Sequence, residues 1–219
     1  MRSTSGELFN ADGRLTQVEY ANKAAMQGGT VIGVRSNSSA VLFTWADRPD
    51  DDDVFSYSPP RKIRKLTESI GIASSGIVSD VDYLANMMFE EANEYIYLFN
   101  SDPPASRLAQ TVADFVHERT LSSRYRPMGV RICIASYDTV SNATITEIDV
   151  MGNVRQCELS CIGPYAERIV KKWNTTIDMT GLDASELVRE CVIALRRCLN
   201  DKDDDNDVSS SSGDGDVAV

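Results

Sequence analysis

The sequence of 219 residues predicts an α+β domain built of stacked layers. Segments rich in β-branched residues and segments of helical period come in groups along the chain: strands, two helices, strands again, then helices. Grouping of that kind separates a layered domain with antiparallel sheet from a doubly wound parallel sheet, in which strand and helix alternate singly. The strand segments are joined by short turn-type breaks, as hairpins require. A composition that is 42% hydrophobic and 25% charged provides for a sizeable core, and there is no internal repeat.

The first element is a helix. Thr16 followed by Glu19 has the spacing of a capping box, Val18, Tyr20, Ala21, Ala24 and Ala25 recur at helical period, and Gly28-Gly29 supplies a stop. Asp12-Gly13 marks a turn just before it. The strand TVIGVR (30–35) follows directly, and after the break RSNSS comes AVLFTW (40–45), a hairpin. The polar run Asp50–Asp53 reads as an exposed loop, and residues 62–66 and 70–73 as a second strand pair. Ser79 or Asp80 is placed to cap a helix with Val81, Leu84, Met88 and Ala92 on one face, and Asp102-Pro103 to start another that buries Leu108, Val112, Phe115 and Val116. The period then returns to two in 130–135 and 144–150, and a third strand, 154–159, follows the turn at 151–153. A short helix runs from Gly163-Pro164 to about Trp173. The last helix opens at Asp183 with Glu186 as a second box-like cap, and carries Leu187, Val188, Cys191, Leu195 and Cys198 on one side. The expected organisation is one domain over residues 1–200 and an acidic Asp/Ser/Gly tail over 201–219, aperiodic and disordered.

Charge and cysteine usage narrow the function. The net charge is −11, and residues 201–219 contribute seven Asp against one Lys, or six of those charges. The remainder is mildly acidic and has no basic stripe of the kind nucleic acid needs. No apolar run approaches the roughly 18 residues of a membrane span. Five cysteines, Cys133, Cys157, Cys161, Cys191 and Cys198, include no C-x-x-C pair and read as buried, reduced thiols of a cytoplasmic or nuclear protein. A single histidine, His117, cannot build a multi-histidine metal site, and no glycine pattern fits a P-loop or dinucleotide fold, so neither metal nor cofactor is expected.

One string is more specific. Gly13-Arg14-Leu15-Thr16-Gln17-Val18-Glu19-Tyr20-Ala21, then Lys23-Ala24 and Gly28-Gly29-Thr30, resembles the N-terminal signature of proteasome alpha subunits. Ser75–Asp80 resembles the turn that opens that family's first long helix, Arg126-Pro127-Met128-Gly129 its R-P-F-G before a central strand, and Asp149–Gly152 its D-P-x-G. The resemblance covers residues 9–200 and implies a four-layer αββα sandwich of the Ntn-hydrolase type. The run from Arg107 to His117 and the acidic end are most similar to the seventh-position, acidic-tailed subunit. Arg2 and Ser3 stand where members carry Tyr-Asp, Ala11 replaces a turn proline, and of the gate-fixing cluster Tyr20 alone is present. Members also add two strands and a closing helix after the last helix, where the acidic stretch stands here, so that an edge of one sheet is missing or contributed otherwise.

Two functional readings follow, of different classes. The beta-type relatives are hydrolases whose N-terminal threonine, freed by cleavage after glycine, is both nucleophile and base, and Gly29-Thr30 mimics that cleavage site. Against it, residues 16–27 form a helix to be kept. In register with the family the nucleophile position falls on Gly29, and the carboxylate position falls at Trp45, with Asp47 two residues on. The preferred reading is a non-catalytic alpha subunit of the 20S core particle. The resemblance implies a seven-membered ring of alpha subunits, contact with beta subunits, gating of substrate entry, and docking of a regulatory particle or activator. It places Lys62 in the docking pocket between neighbours, and Asp12, Gly13, Arg14, Gln17, Glu19 and Tyr20 at the ring and gate interface, with Ala21, Ala24 and Ala25 facing a neighbouring helix. Ser211-Ser212-Gly213-Asp214 has the spacing of an acid-directed phosphorylation site. A free-standing αββα binding domain is the third possibility.

Overall fold

The computed structural model describes residues 9–45, 62–122, 124–139, 142–173 and 178–210, with residues 200–210 described by backbone alone. The elements are α1 (Thr16–Met26), β1 (Thr30–Arg35), β2 (Ala40–Trp45), β3 (Ile63–Lys65), β4 (Ile70–Gly76), α2 (Val78–Phe99), α3 (Ala105–Leu121), β5 (Val130–Asp138), β6 (Asn142–Ile148), β7 (Val154–Cys157), β8 (Leu159–Ile162), α4 (Ala166–Trp173) and α5 (Ala184–Ser210). They form two antiparallel sheets, ordered β2-β1-β8 and β3-β4-β5-β6-β7.

Alternation along each strand sends side chains to two different cores. From the five-stranded sheet, Ile70, Ile72, Ile132, Ile134 and Ile148 face Leu84, Met88, Leu108 and Val112 of α2 and α3. From the three-stranded sheet, Ile32 and Val34 face Ile169 and Trp173 of α4 and Leu187, Cys191 and Leu195 of α5. Val31, Ala73, Cys133, Ile145 and Ile162 fill the seam between the sheets. That makes four layers, α/β/β/α, the architecture expected. Each fully buried aliphatic side chain in these clusters contributes about 1.5–3 kcal/mol. The seam is tightly packed: a Cβ on Gly33 would collide with the Cys133 sulfur across the sheets. α1 lies over one end of the sandwich, with Val18, Ala21 and Ala25 packed on Val150.

Several local expectations are corrected. α1 starts on Thr16 with Leu15 at the cap and no side-chain capping bond, so the Thr16–Glu19 box is not formed; Glu19 instead reaches Arg14 at 3.8 Å. Ala21 and Ala25 face the chain's own core and not a neighbour's helix. α2 starts on Val78 without a side-chain cap. Asp80 is buried in its first turn, where Arg126 donates to it twice (2.6 and 2.7 Å) and the Gly129 amide once (2.9 Å). α3 starts two residues after Pro103; Asp102 accepts from Ser69 and Thr67 hydroxyls. The cap of α5 is present as a reciprocal box, the Asp183 amide donating to Glu186 and the Glu186 amide to Asp183, each at 2.8 Å. Val188 points outward, 40% exposed.

The largest correction concerns residues 154–162, which form two strands in different sheets. Up to Cys157 the odd-numbered side chains face the seam; from Ser160 the even-numbered ones do, while Leu159 and Cys161 turn to α4 and α5. The chain crosses between sheets at Glu158 and flips face as it does so. α5 continues as helix through Ser210, ten residues past the end of the apolar period. Residues 211–219, including the Ser211–Asp214 spacing, lie outside the described residues, as do Arg2, Ser3, Asp47 and the Asp50–Asp53 run.

Candidate functional site

The joint between α1 and β1 is tightly specified. The Ser75 hydroxyl, buried, donates to the Ala25 carbonyl at 2.8 Å and pins the last turn of α1 to the end of β4. Gly28 follows so closely on β4 that a Cβ there would sit 2.5 Å from the Gly76 nitrogen. At Gly29 a Cβ would fall 2.5 Å from the Lys62 Nζ and 2.7 Å from the Trp45 carbonyl oxygen. Only glycine lets a backbone pass through these two contacts. The result is a helix joined covalently to a strand, with an ammonium laid across the joint.

Lys62 precedes β3, and its carbonyl accepts from the Ser74 amide at 3.1 Å, which fixes the residue to β4. Its side chain is half-buried, and burial pushes its pKa below the ordinary lysine value. It pairs with no carboxylate among the described residues, whereas Lys65 nearby is exposed and bridges Glu68 at 2.7 Å. A half-desolvated ammonium with no carboxylate partner among the described residues is suited to receive one.

Thr30, one residue on, is 1% exposed and paired with Trp45 in the β1–β2 ladder. Its Oγ1 has no hydrogen-bond partner among the described residues, so no base touches it there. Its nitrogen is a peptide nitrogen continuous with α1, and a threonine nucleophile needs a free amine beside its hydroxyl. The arrangement can hold an anion; it cannot attack a peptide.

The other residues singled out by sequence lie apart from Lys62. Asp12, Gly13 and Arg14 form an exposed turn in which the Asn10 carboxamide accepts from the Asp12 and Arg14 amides (3.0 and 2.8 Å) and Gly13 has φ +72°. Gln17, Glu19 and Tyr20 are exposed on the outer face of α1, Tyr20 at 56%. α1 has 11 residues, so this group and Lys62 sit at opposite ends of a helix about 16 Å long. His117 is exposed on α3, its Nδ1 3.3 Å from the Met151 carbonyl.

Two polar constructions escaped sequence reasoning. One is the Asp80–Arg126 clamp; its halves stood out as separate motifs, and their opposite charges were the available signal. The other is Glu147 in the seam, 3% exposed, which pairs with Arg131 and Arg155 and accepts from the Ser160 hydroxyl at 2.9 Å. Glu147 falls in an alternating strand, TITEID, where an acid reads as solvent-facing. Among the described residues no group of three or more His, Cys, Asp or Glu is assembled to hold a metal, and no helix is long and apolar enough to cross a membrane.

The profile of the family described as "Proteasome subunit" matches residues 25–209. The chain belongs to the proteasome subunit family. Among its relatives, proteasome subunit alpha type-3 of Drosophila melanogaster is 30% identical over 201 residues, covering 91% of this chain and 78% of the relative. Proteasome subunit alpha type-6 of Saccharomyces cerevisiae is 33% identical over 201 residues, covering 89% and 82%. Proteasome subunit alpha of Archaeoglobus fulgidus is 31% identical over 156 residues, covering 71% and 62%. The chain is thus an alpha-type proteasome subunit, the non-catalytic class of the 20S core particle. The continuity of α1 with Thr30, and a Thr30 hydroxyl with no hydrogen-bond partner among the described residues, agree with that non-catalytic class.

Proposed function

We propose that this alpha-type subunit sits in a seven-membered ring of alpha subunits above a ring of beta subunits. There it helps gate substrate entry and receives a regulatory particle or activator at Lys62. The mechanism is steric: N-terminal segments occlude an axial pore until an activator shifts them. The exposed turn Asp12-Gly13-Arg14 and the outer residues Gln17, Glu19 and Tyr20 are the contact surface toward neighbours and gate. The seventh ring position is supported by the run from Arg107 to His117 and the acidic stretch. Residues 1–200 are the subunit domain and 201–219 an acidic extension, in a particle of the cytoplasm and nucleus.

One observation carries this reading: the Lys62 ammonium is half-buried against Gly29 at the end of α1 and lacks a carboxylate among the described residues. A docking tail that ends in a free carboxylate fits it.

The test uses the assembled particle with Lys62→Ala and Lys65→Ala in this chain. Binding of an activator-tail peptide is measured with its C-terminus free or amidated. Lys62→Ala should weaken the free-carboxylate peptide by about tenfold or more, the scale of a lost charge-assisted bond, and Lys65→Ala should leave it unchanged. Equal binding of the amidated peptide to the unmodified particle would refute the docking role.

A further inference from the structure

The two sheets differ in width, and the mismatch falls at one place. β2 stacks over β3 to β6, β1 over β4 to β6, and β8 over β6, so β7 lies past the rim of the three-stranded sheet. The consequence shows in the side chains of the inner face there: Arg155 is 68% exposed although it pairs at 3.0 Å with the buried Glu147, and Cys157 is half-exposed. On the other side of β8, Leu159 and Cys161 are incompletely covered by α4 and α5.

The ladder says which backbone groups are left over. The Arg35 amide donates to the Glu158 carbonyl at 3.0 Å, which makes that a hydrogen-bonded pair. Alternation in an antiparallel ladder makes Gly33–Ser160 and Val31–Ile162 the next such pairs. The amides and carbonyls of Leu159 and Cys161 therefore point away from β1, toward an edge on which no described strand pairs. A slot results, with a row of backbone groups that no described strand pairs, the inner face of β7 as one wall and α4 as the other.

We propose that the outer edge of β8 is a strand-acceptor site. An extended segment of a neighbouring subunit adds there as a fourth strand, with apolar side chains on both faces and a carboxylate meeting Arg155. Charge argues for the carboxylate: Arg155 commits one guanidinium nitrogen to Glu147 and stays 68% exposed at the mouth of the slot, with donors left to meet an incoming acid. Burial on both sides argues for the apolar faces, since a strand between a sheet and a helix layer has no wet side. Among the described residues no segment of this chain pairs along that edge, and residues 201–219, mostly Asp, Ser and Gly, lack the apolar side chains the slot calls for. The proposal rests on the chain's place in a multisubunit particle.

Residue-resolved amide exchange decides it, comparing the isolated full-length chain with the assembled particle while native mass reports incorporation. Exchange at Leu159 and Cys161 should be fast in the isolated chain and slow by about a hundredfold or more on assembly, as for an amide passing from an edge to a ladder. Arg155→Gln, at an exposed position, should reduce that protection severalfold while leaving the β1–β8 amides as slow as before. Cys161→Pro removes one outward amide and should abolish it. Unchanged exchange at both residues in the incorporated chain overturns the proposal. Protection already present in the monomer and released by deleting residues 201–219 makes the occupant the chain's own segment. Protection appearing only with self-association makes it a second copy. Either would overturn the partner assignment. A chain that never enters the particle refutes the subunit reading, and native mass shows that separately.

Discussion

The two halves of the sandwich solve the same packing problem to different degrees. The five-stranded sheet is sealed by two long helices, α2 and α3, and the Asp80–Arg126–Gly129 clamp ties the start of α2 to the start of β5. The three-stranded sheet has a short helix, α4, beside α5, and β2, on its other edge, is half-buried or exposed along its whole length. Its ion pair Arg35–Glu158 is partly in water, through the exposed Glu158. Stability is therefore concentrated in the first half. The second half keeps edges on which no described strand pairs, and the Lys62–Gly29 joint lies between the two halves; these are the features proposed for contact with other chains.

Substitutions can break that contrast or sharpen it. The largest effect is expected at Glu147, which belongs to both halves. Glu147→Ala leaves Arg131 facing the seam uncompensated and should cost about 3–5 kcal/mol in urea unfolding. Asp80→Ala should cost about 2–3 kcal/mol, because it strands a buried amide as well as Arg126. Asp80 also carries a pH signature. Burial works against its charge, but the Arg126 guanidinium and Gly129 amide outweigh that and hold its pKa below the usual carboxylate value. Its contribution should be complete above about pH 4 and lost as pH falls through the lowered folded value. Asp80→Asn should remove that part of the acid dependence in a pH series of thermal melts. Gly33→Ala forces a methyl onto the Cys133 sulfur and should cost about 1–3 kcal/mol. Arg35→Ala, in the open half, should cost under about 1 kcal/mol. If Arg35→Ala proved as damaging as Asp80→Ala, the two halves would not differ in the way described.

How much of this was legible depended on whether the cause was local. β1 and β2 appear with the ends read from sequence, because both are β-branched or aromatic runs bounded by turn residues. The α5 cap was legible because Asp183 and Glu186 satisfy each other across one turn. The α1 cap was not: Thr16 and Glu19 have the right spacing, but the Asn10 turn and the packing of Val18 set the helix one residue earlier. The switch at Glu158 is invisible to period counting, since apolar and polar residues alternate through it while the face that is buried changes. Of the site, the glycines at 28 and 29 were readable as a stop. That Lys62 would cross them was not, because the contact joins residues 33 positions apart through the pairing of β3 with β4.

The account turns on α1 remaining joined to Thr30, so the most direct measurement is the intact mass of this chain released from the purified native particle. A chain that still carries residues 14–29 and is unmodified after treatment with a threonine-directed electrophile is the predicted result. A shorter chain beginning at Thr30 and carrying the electrophile would contradict it.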